Sequence, residues 1–208
     1  MKTDLIDLRE SNEFLKLLLD NINTAVLIAD ENLQIYQVNN FFLQLFDSAT
    51  ENVVKAKFGK AAGCIHAVRE NKPCGETSVC KDCVLRKSLI QTLIEKVPVD
   101  KAWLRRSFYI DNIPVEKYLQ FSTRHITFHG RRMIMVIIYD VTDIERQKTE
   151  LQRKQAQINQ DLLAAAEIQK SLLPDSVPSQ ERIKMAWKFE PSWNIGGDIF
   201  NIHYHQNN

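Results

Sequence analysis

The sequence predicts an α+β protein. A five-stranded antiparallel sheet carries helices on one face, with an amphipathic helix before it and a long helix after it. Three observations predict this. Strand-like runs come as a pair, Ala25–Ala29 and Leu33–Val38, and later as a trio, roughly Ala102–Ile110, Val115–Phe128 and Arg132–Asp140. Helical patterns fill the interval between pair and trio. After the trio, Ile144, Leu151, Ile158, Ala165 and Leu172 recur at seven-residue spacing, with no Gly and no Pro before Pro174.

Taken in order, residues 3 to 22 place Leu5, Leu8, Leu15, Leu18 and Ile22 at helical spacing, with Phe14 and Leu19 widening the stripe. Asp30-Glu31-Asn32 is a polar turn that makes the first strand pair a hairpin. Asn39 opens a short helix carrying Phe41, Phe42, Leu45 and Phe46. Residues 48 to 83 read as irregular and hold every cysteine. Val84–Lys96 is a helix with Leu85, Leu89, Leu93 and Ile94 on one stripe. Asp111-Asn112 and His129-Gly130 mark the turns of the trio. The last strand is apolar on both faces, so it should be central, or covered on both sides. The short helices can cover one face of the sheet; the N-terminal helix or a second subunit must cover the other.

The long helix, Asp140 to Leu173, has one good apolar seam. Its second seam begins poorly with Gln147, Lys154 and Asp161 and improves at Leu162 and Ile168. A helix of this kind pairs marginally, and what lies at its ends can shift the pairing. The plainer alternative is a single helix lying on a globular core.

Composition sets outer limits. At 208 residues the chain holds one large domain or two small ones, and 44% hydrophobic with 25% charged residues is ordinary globular composition. A net charge of +1 argues against non-specific nucleic-acid binding. The N-terminus lacks a secretory apolar core, and the longest apolar run, Met133 to Tyr139, is too short to span a bilayer. A cytoplasmic protein with no membrane partner is expected. Its four cysteines should then be thiols or metal ligands rather than disulfides.

Those cysteines follow the pattern Cys64-x9-Cys74-x5-Cys80-x2-Cys83. A Cys-x2-Cys pair lets two thiolates reach one ion from a tight turn, and the other two complete a tetrahedral set. Gly75 gives the backbone freedom to turn there, and Lys72, Lys81 and Arg86 offset thiolate charge. Zinc would staple a loop region with little core of its own. A 4Fe–4S cluster would use the same thiolates and respond to oxygen or redox state. A reversible disulfide, with Cys80 and Cys83 the favoured pair, is a third possibility, and four unligated buried thiols a fourth. His66 is treated as lying outside the ligand set, and His125 and His129 as strand and turn residues without a ligand role.

The segment from about residue 20 to 145 resembles a PAS sensor domain. The resemblance is carried by Ala29-Asp30-Glu31-Asn32-Leu33-Gln34-Ile35, by Asn39 and Phe42, and by Asp140-Val141-Thr142 before the helix. Asn32 stands where the family usually has Gly; Asn also tolerates a positive φ. The resemblance implies that Asp140 and Thr142 couple the sensor core to the outgoing helix, a role compatible with simply capping it. The cysteine segment resembles a cysteine-rich insertion of some bacterial PAS sensors. Flavin-adduct members need a cysteine in the short helix after the hairpin, and 39–44 has none; haem members use a histidine on the last long helix before the trio, and 84–96 has none.

Residues of about 162 to 204 resemble the opening of a PPM-type (type 2C-like) serine phosphatase domain of the sigma-factor-regulating kind. The motifs are Ala164-Ala-Ala-Glu-Ile-Gln-Lys-Ser-Leu-Leu-Pro174, Ala186-Trp-Lys-Phe-Glu-Pro191 and Asn194-Ile-Gly-Gly-Asp-Ile-Phe-Asn201. The resemblance implies that Asp198 is the first carboxylate of a two-metal Mn or Mg site that activates water for attack on a phosphoserine. Asn201 stands where many members have Asp.

The expected organisation is an N-terminal helix (1–22), a PAS sensor domain (23–140), a coiled-coil linker (141–173) and the incomplete start of a phosphatase domain (174–208). Residues of about 175 to 208 are expected to be disordered or to pair in a non-native way, and the 208-residue chain to be catalytically inactive. The expected role is a sensing and dimerisation module that responds to redox state or a small ligand and regulates the phosphatase. The alternative is a zinc-stabilised PAS scaffold driven by a protein partner. Expected partners are a second copy, through the long and N-terminal helices, and a phosphorylated anti-sigma-antagonist-type protein as substrate of the complete enzyme.

Overall fold

The structure, a computed structural model, describes residues 14, 16–174, 185–191 and 193–202. It forms two compact units, Met1–Glu145 and Arg146–Asn208.

In the first unit β1 (Ala25–Ala29), β2 (Ile35–Val38), β3 (Val99–Ile110), β4 (Ile113–Phe128) and β5 (Arg131–Asp140) form one five-stranded sheet, ordered β2-β1-β5-β4-β3. Every neighbouring pair is antiparallel. β5 is therefore central, as its two apolar faces predicted. The tight turns fall where the sequence put them: Asp111, Asn112, His129 and Gly130 all take positive φ.

On the inner face Leu27 pairs with Val136, Leu104 with Leu119 and Phe121 with Ile138, all buried. Helices α1 (Asn40–Leu45), α2 (Thr50–Val53), α3 (Phe58–Ala61), α4 (Ile65–Arg69) and α5 (Val84–Glu95), with a 3₁₀ turn at Cys80–Asp82, lie between the hairpin and the trio. Asn39 caps α1 by accepting the Phe42 N–H, and its side chain also joins Val26 to the carbonyls of Leu19 and Thr24. α5 ends on Lys96 in the left-handed conformation.

The expectation for residues 48 to 83 needs correction. They contain three one-turn helices and the 3₁₀ turn rather than irregular chain. None of these turns has a side-chain cap, so they are set by tertiary packing, and they are too short to show a hydrophobic period. The hairpin turn is also corrected. Asp30 Oδ1 accepts the N–H groups of both Asn32 and Gln34, at 2.9 and 2.8 Å. This carries the turn one residue further, so Leu33 rather than Asn32 takes the positive φ, and β2 begins at Ile35.

The outer face is apolar but unevenly covered. Val26 and Met133 are buried at 7% and 2% exposure, whereas Tyr36, Trp103, Phe128 and Tyr139 are exposed. Of the N-terminal helix expected over 3–22, residues 14 and 16–20 are helical, Asn21 and Ile22 form a turn and a bend rather than helix, and residues 3–13 and 15 lie outside the described residues. Asp20 accepts the Asn40 N–H, which ties this segment to the start of α1.

The second unit holds most of α6 (Thr142–Ser171), a helix of 30 residues. Ile144, Leu151, Ile158 and Leu172 of the seven-residue stripe are exposed and Ala165 is half-buried. The described residues after it form no helix or strand. Much of the tail expected to be disordered or mispaired lies outside the described residues.

Candidate functional site: a cysteine centre and the ends of the long helix

Four short segments bring the cysteines together. Cys64 precedes α4; its N–H donates to Gly59 O at 2.8 Å, and it bridges Phe108 on β3. Cys74 sits in the following loop against Gly59, where an added Cβ would lie 2.8 Å from its Sγ. Only a residue without a side chain leaves that space. Cys80 opens the 3₁₀ turn and Cys83 immediately precedes α5. All four are free thiols, half-buried, and line one cavity of about 30 Å³ with Phe58, Thr77, Leu104, Arg106 and Phe108. The site residues named from spacing alone are thus brought together. Among the described residues, however, no three Cys, His, Asp or Glu side chains stand close enough to form a ready-made metal site.

The thiols are not equivalent. Burial pushes the Cys74 thiol up, and its cysteine neighbours add to the rise against a hydrogen bond from Gly59. Burial also acts on Cys80, but donors outweigh it and hold the thiol below its ordinary value. Thr77 Oγ1 lies 3.0 Å and the Gly75 N 3.1 Å from its Sγ, with the Arg86 charge nearby. The Arg86 guanidinium packs on Gly75, whose φ is +110°.

Of the cations expected around the cluster, Arg86 is in place. Lys72 instead pairs with Glu70 at 3.6 Å, and Lys81 is exposed. The sequence reading missed Arg106, which arrives on β3 and is recognisable only once strand register is known. His66 lines a neighbouring open cleft with Arg69 and Arg106 rather than the cavity, and burial followed by the Arg106 charge lowers its pKa.

The cup above the sheet is filled. Phe42, Phe46, Phe58 and Phe108 pack against one another in tilted and edge-to-face arrangements with ring centroids 4.9 to 6.2 Å apart.

Asp140 and Thr142 form the junction between β5 and α6. Lys117 Nζ donates to Asp140 Oδ2 at 2.7 Å, with only 18% and 21% of the two side chains exposed. Asp140 Oδ1 accepts the Thr142 N–H at 3.0 Å and is also bonded to the Thr142 hydroxyl. Thr142 Oγ1 accepts the Tyr118 N–H at 2.9 Å, and Val141 N–H donates to Tyr118 O at 2.9 Å. Burial raises the Asp140 carboxyl, but Lys117 and Thr142 outweigh it and hold it below the ordinary carboxylate range.

In the second unit Gln169 meets Gly196 twice: its Nε2 donates to Gly196 O and its Oε1 accepts the Gly196 N–H, both at 2.8 Å. Nε2 also reaches Asp198 O at 3.2 Å. Trp187 packs edge-on against Phe200, and a Cβ on Gly196 would lie 2.7 Å from the Phe189 ring. The Asp198 side chain is exposed.

No protein-family model matches the chain, and no curated protein matches it. Among solved structures, the PAS domain of nitrogen regulation protein NR(II) from Vibrio parahaemolyticus is similar over 61% of this chain and 96% of that one, at 18% identity and TM-score 0.40. The PAS domain of BvgS from Bordetella pertussis is similar over 70% and 98%, at 14% identity and TM-score 0.42. The PAS domain of an HTR-like protein from Haloarcula marismortui is similar over 64% and 98%, also at 14% and 0.42.

Proposed function

We propose that the first unit is a PAS-type input module in which the cysteine centre is the sensing element and α6 the output. One observation carries this reading: Cys64, Cys74, Cys80 and Cys83 line a single cavity against strand β3, while aromatic rings fill the cup where an organic ligand would otherwise sit. A redox or metal input is favoured over a small ligand in the cup for that reason.

The four cysteines would hold a zinc ion. A Cys-x2-Cys pair completed by two further thiolates suits a tetrahedral zinc ion, and a 4Fe–4S cluster on the same thiolates stays the runner-up. Zinc would draw the thiolates inward and staple the loop between α3 and α5. The hydrogen bonds onto Cys80 and the bare Gly59 favour that closure. The same features favour the second reading, a purely structural zinc in a dimerisation scaffold answering to a protein partner.

The exposed Ile144, Leu151 and Ile158 support reading α6 as a pairing surface for a second copy, in which the N-terminal helix would take part. The motif resemblance at residues 162–204 supports reading the regulated domain as a PPM-type serine phosphatase. Asp198 would be one of its Mn or Mg ligands and a phosphorylated anti-sigma-antagonist-type protein its substrate. No helix among the described residues is long and apolar enough to cross a membrane, and a cytoplasmic setting suits free thiols.

Metal analysis and an absorption spectrum on protein purified without oxygen test the centre. One zinc per chain and a colourless sample support it. A brown sample with iron and sulfide replaces zinc by the cluster, and no metal at all sinks both. A strictly monomeric mass in solution would overturn the role given to α6.

A further inference from the structure

We infer, on the reading of the centre as a metal site, that Glu70 positions two of its four thiols. The cysteines divide into two pairs. Cys64 and Cys83 pack against the hydrophobic core. Cys64 bridges Phe108 on β3, beside the Tyr109 N–H that donates to Gly63 O at 2.8 Å. Cys83 immediately precedes α5, whose Leu85 and Leu89 are buried. Cys74 and Cys80 are carried instead on the segment 71–80, between α4 and the 3₁₀ turn. Asn71, Lys72, Pro73, Glu76 and Ser78 of that segment are exposed.

Two turns shape the segment. Glu76 N–H donates to Pro73 O at 3.0 Å, and Cys80 N–H donates to Thr77 O at 3.1 Å. The first turn carries Cys74 and the second ends on Cys80. Cys74 meets Gly59 and Arg86 packs on Gly75, which holds the first turn. A carboxylate ties the second turn back to α4. Glu70 Oε1 and Oε2 accept the Ser78 N–H at 3.1 and 3.0 Å, and Ser78 Oγ donates to Glu70 Oε1 at 2.7 Å. Ser78 lies inside that turn, two residues before Cys80.

Glu70 is itself well placed. It is the first residue past α4, where its N–H donates to His66 O at 3.1 Å. Its side chain is 24% exposed, Lys72 Nζ pairs with it at 3.6 Å, and its charge also acts on His66 one helical turn back. A carboxylate that accepts a backbone and a hydroxyl donor together is a strong, directional anchor. It keeps the turn of Cys80 beside the pair set in the core. A site whose ligands are already gathered loses less conformational freedom when it binds. Glu70 ligates nothing and acts through Ser78, as a positioning residue.

The test is zinc affinity and zinc release on the full chain, by competition with a chromogenic chelator, together with urea melts with and without zinc. Glu70→Ala should weaken zinc binding about tenfold and speed release by a similar factor. Glu70→Gln keeps a carbonyl oxygen for Ser78 and should stay within about threefold of the unsubstituted protein. Ser78→Ala removes the hydroxyl alone and should weaken binding about threefold. It should add nothing to Glu70→Ala, because both act at one joint. Unchanged zinc affinity in Glu70→Ala, or an additive loss in the double variant, overturns the assignment of Glu70 and leaves the metal centre standing. If Glu70→Ala does not fold, unchanged affinity in Ser78→Ala does the same. A Gln variant as weak as the Ala variant shows an effect of charge rather than of the Ser78 anchor, which also overturns it. An equal loss of urea midpoint with and without zinc marks a merely structural residue, with the same consequence. An unsubstituted protein that takes up no zinc overturns the centre itself, and Glu70 with it.

Discussion

At its first residue α6 is held by side chains and backbone of two strands; in its last turns, among the described residues, its side-chain hydrogen bonds to the following segment come from one amide. The first joint joins Lys117, Asp140, Thr142 and Tyr118, and its ion pair is largely shielded from water. The second is Gln169 against the backbone of Gly196 and Asp198, in a segment without regular secondary structure. Between them residues 146–160 are exposed. The comparison teaches where stiffness lies. A shielded charge pair with several hydrogen bonds resists deformation and is costly to break by halves. A neutral amide pair is weaker and recovers easily.

Substitutions at each joint and between them probe this difference in stiffness. The largest effect is expected from Lys154→Leu with Asp161→Leu, which repairs the second seam. Burying a leucine is worth about 1.5–3 kcal/mol, so a dimer gaining two per chain should tighten at least a hundredfold, as read by sedimentation. That variant fixes the middle of the helix and leaves only the joints free to respond. An unchanged association constant would show that the exposed stripe is not a pairing surface.

Asp140→Ala should come next. It strands the Lys117 ammonium and removes the acceptor of the Thr142 N–H, at a cost of about 2–3 kcal/mol in urea melts. Thr142→Val removes only the hydroxyl and should cost about 1–2 kcal/mol. At the other joint Gln169→Ala should cost about 1 kcal/mol, visible as roughly fivefold faster exchange of the Gly196 amide. If Gln169→Ala matched Asp140→Ala, the two joints would be equally stiff and the contrast would collapse.

The smallest effect separates the joints by pH. The Asp140 carboxyl is depressed in the folded state. Its stabilisation is therefore fully present above the ordinary carboxylate pKa of about 4, and is lost as pH falls through the lower folded value. The difference in urea midpoint between the unsubstituted protein and Asp140→Asn should be constant from pH 5 to 7 and shrink below pH ~4. Gln169 does not titrate, so Gln169→Ala should show a difference that acid leaves alone.

Much of this was legible in the sequence, for physical reasons. β1 and β5 announce themselves as short continuous apolar runs, α5 through side-chain period, and Asn39 through cap chemistry. The cysteine centre was legible because its ligand types crowd into 20 residues. Its surroundings were not. Gly59, Thr77 and Arg106 matter through proximity across a folded chain, and Arg106 meets Lys117 only by virtue of β3–β4 register. Lys117 is an unremarked lysine until that register puts it beside Asp140. The Gln169–Gly196 pair spans 27 residues, and no local pattern signals it.

Leu33 carries a consequence for the order of folding. Its φ of 60° costs a non-glycine residue about 1–2 kcal/mol. The compensation is burial: its side chain packs on the core and lines a cavity with Lys57, Phe58, Cys74, Cys83, Leu85 and Leu89. None of those partners exists for an isolated β1–β2 hairpin. The hairpin turn is therefore unfavourable alone and becomes favourable when the cysteine-bearing segment docks. Nucleation should begin in the β3–β4–β5 meander, with the N-terminal hairpin settling late and in step with the cysteines.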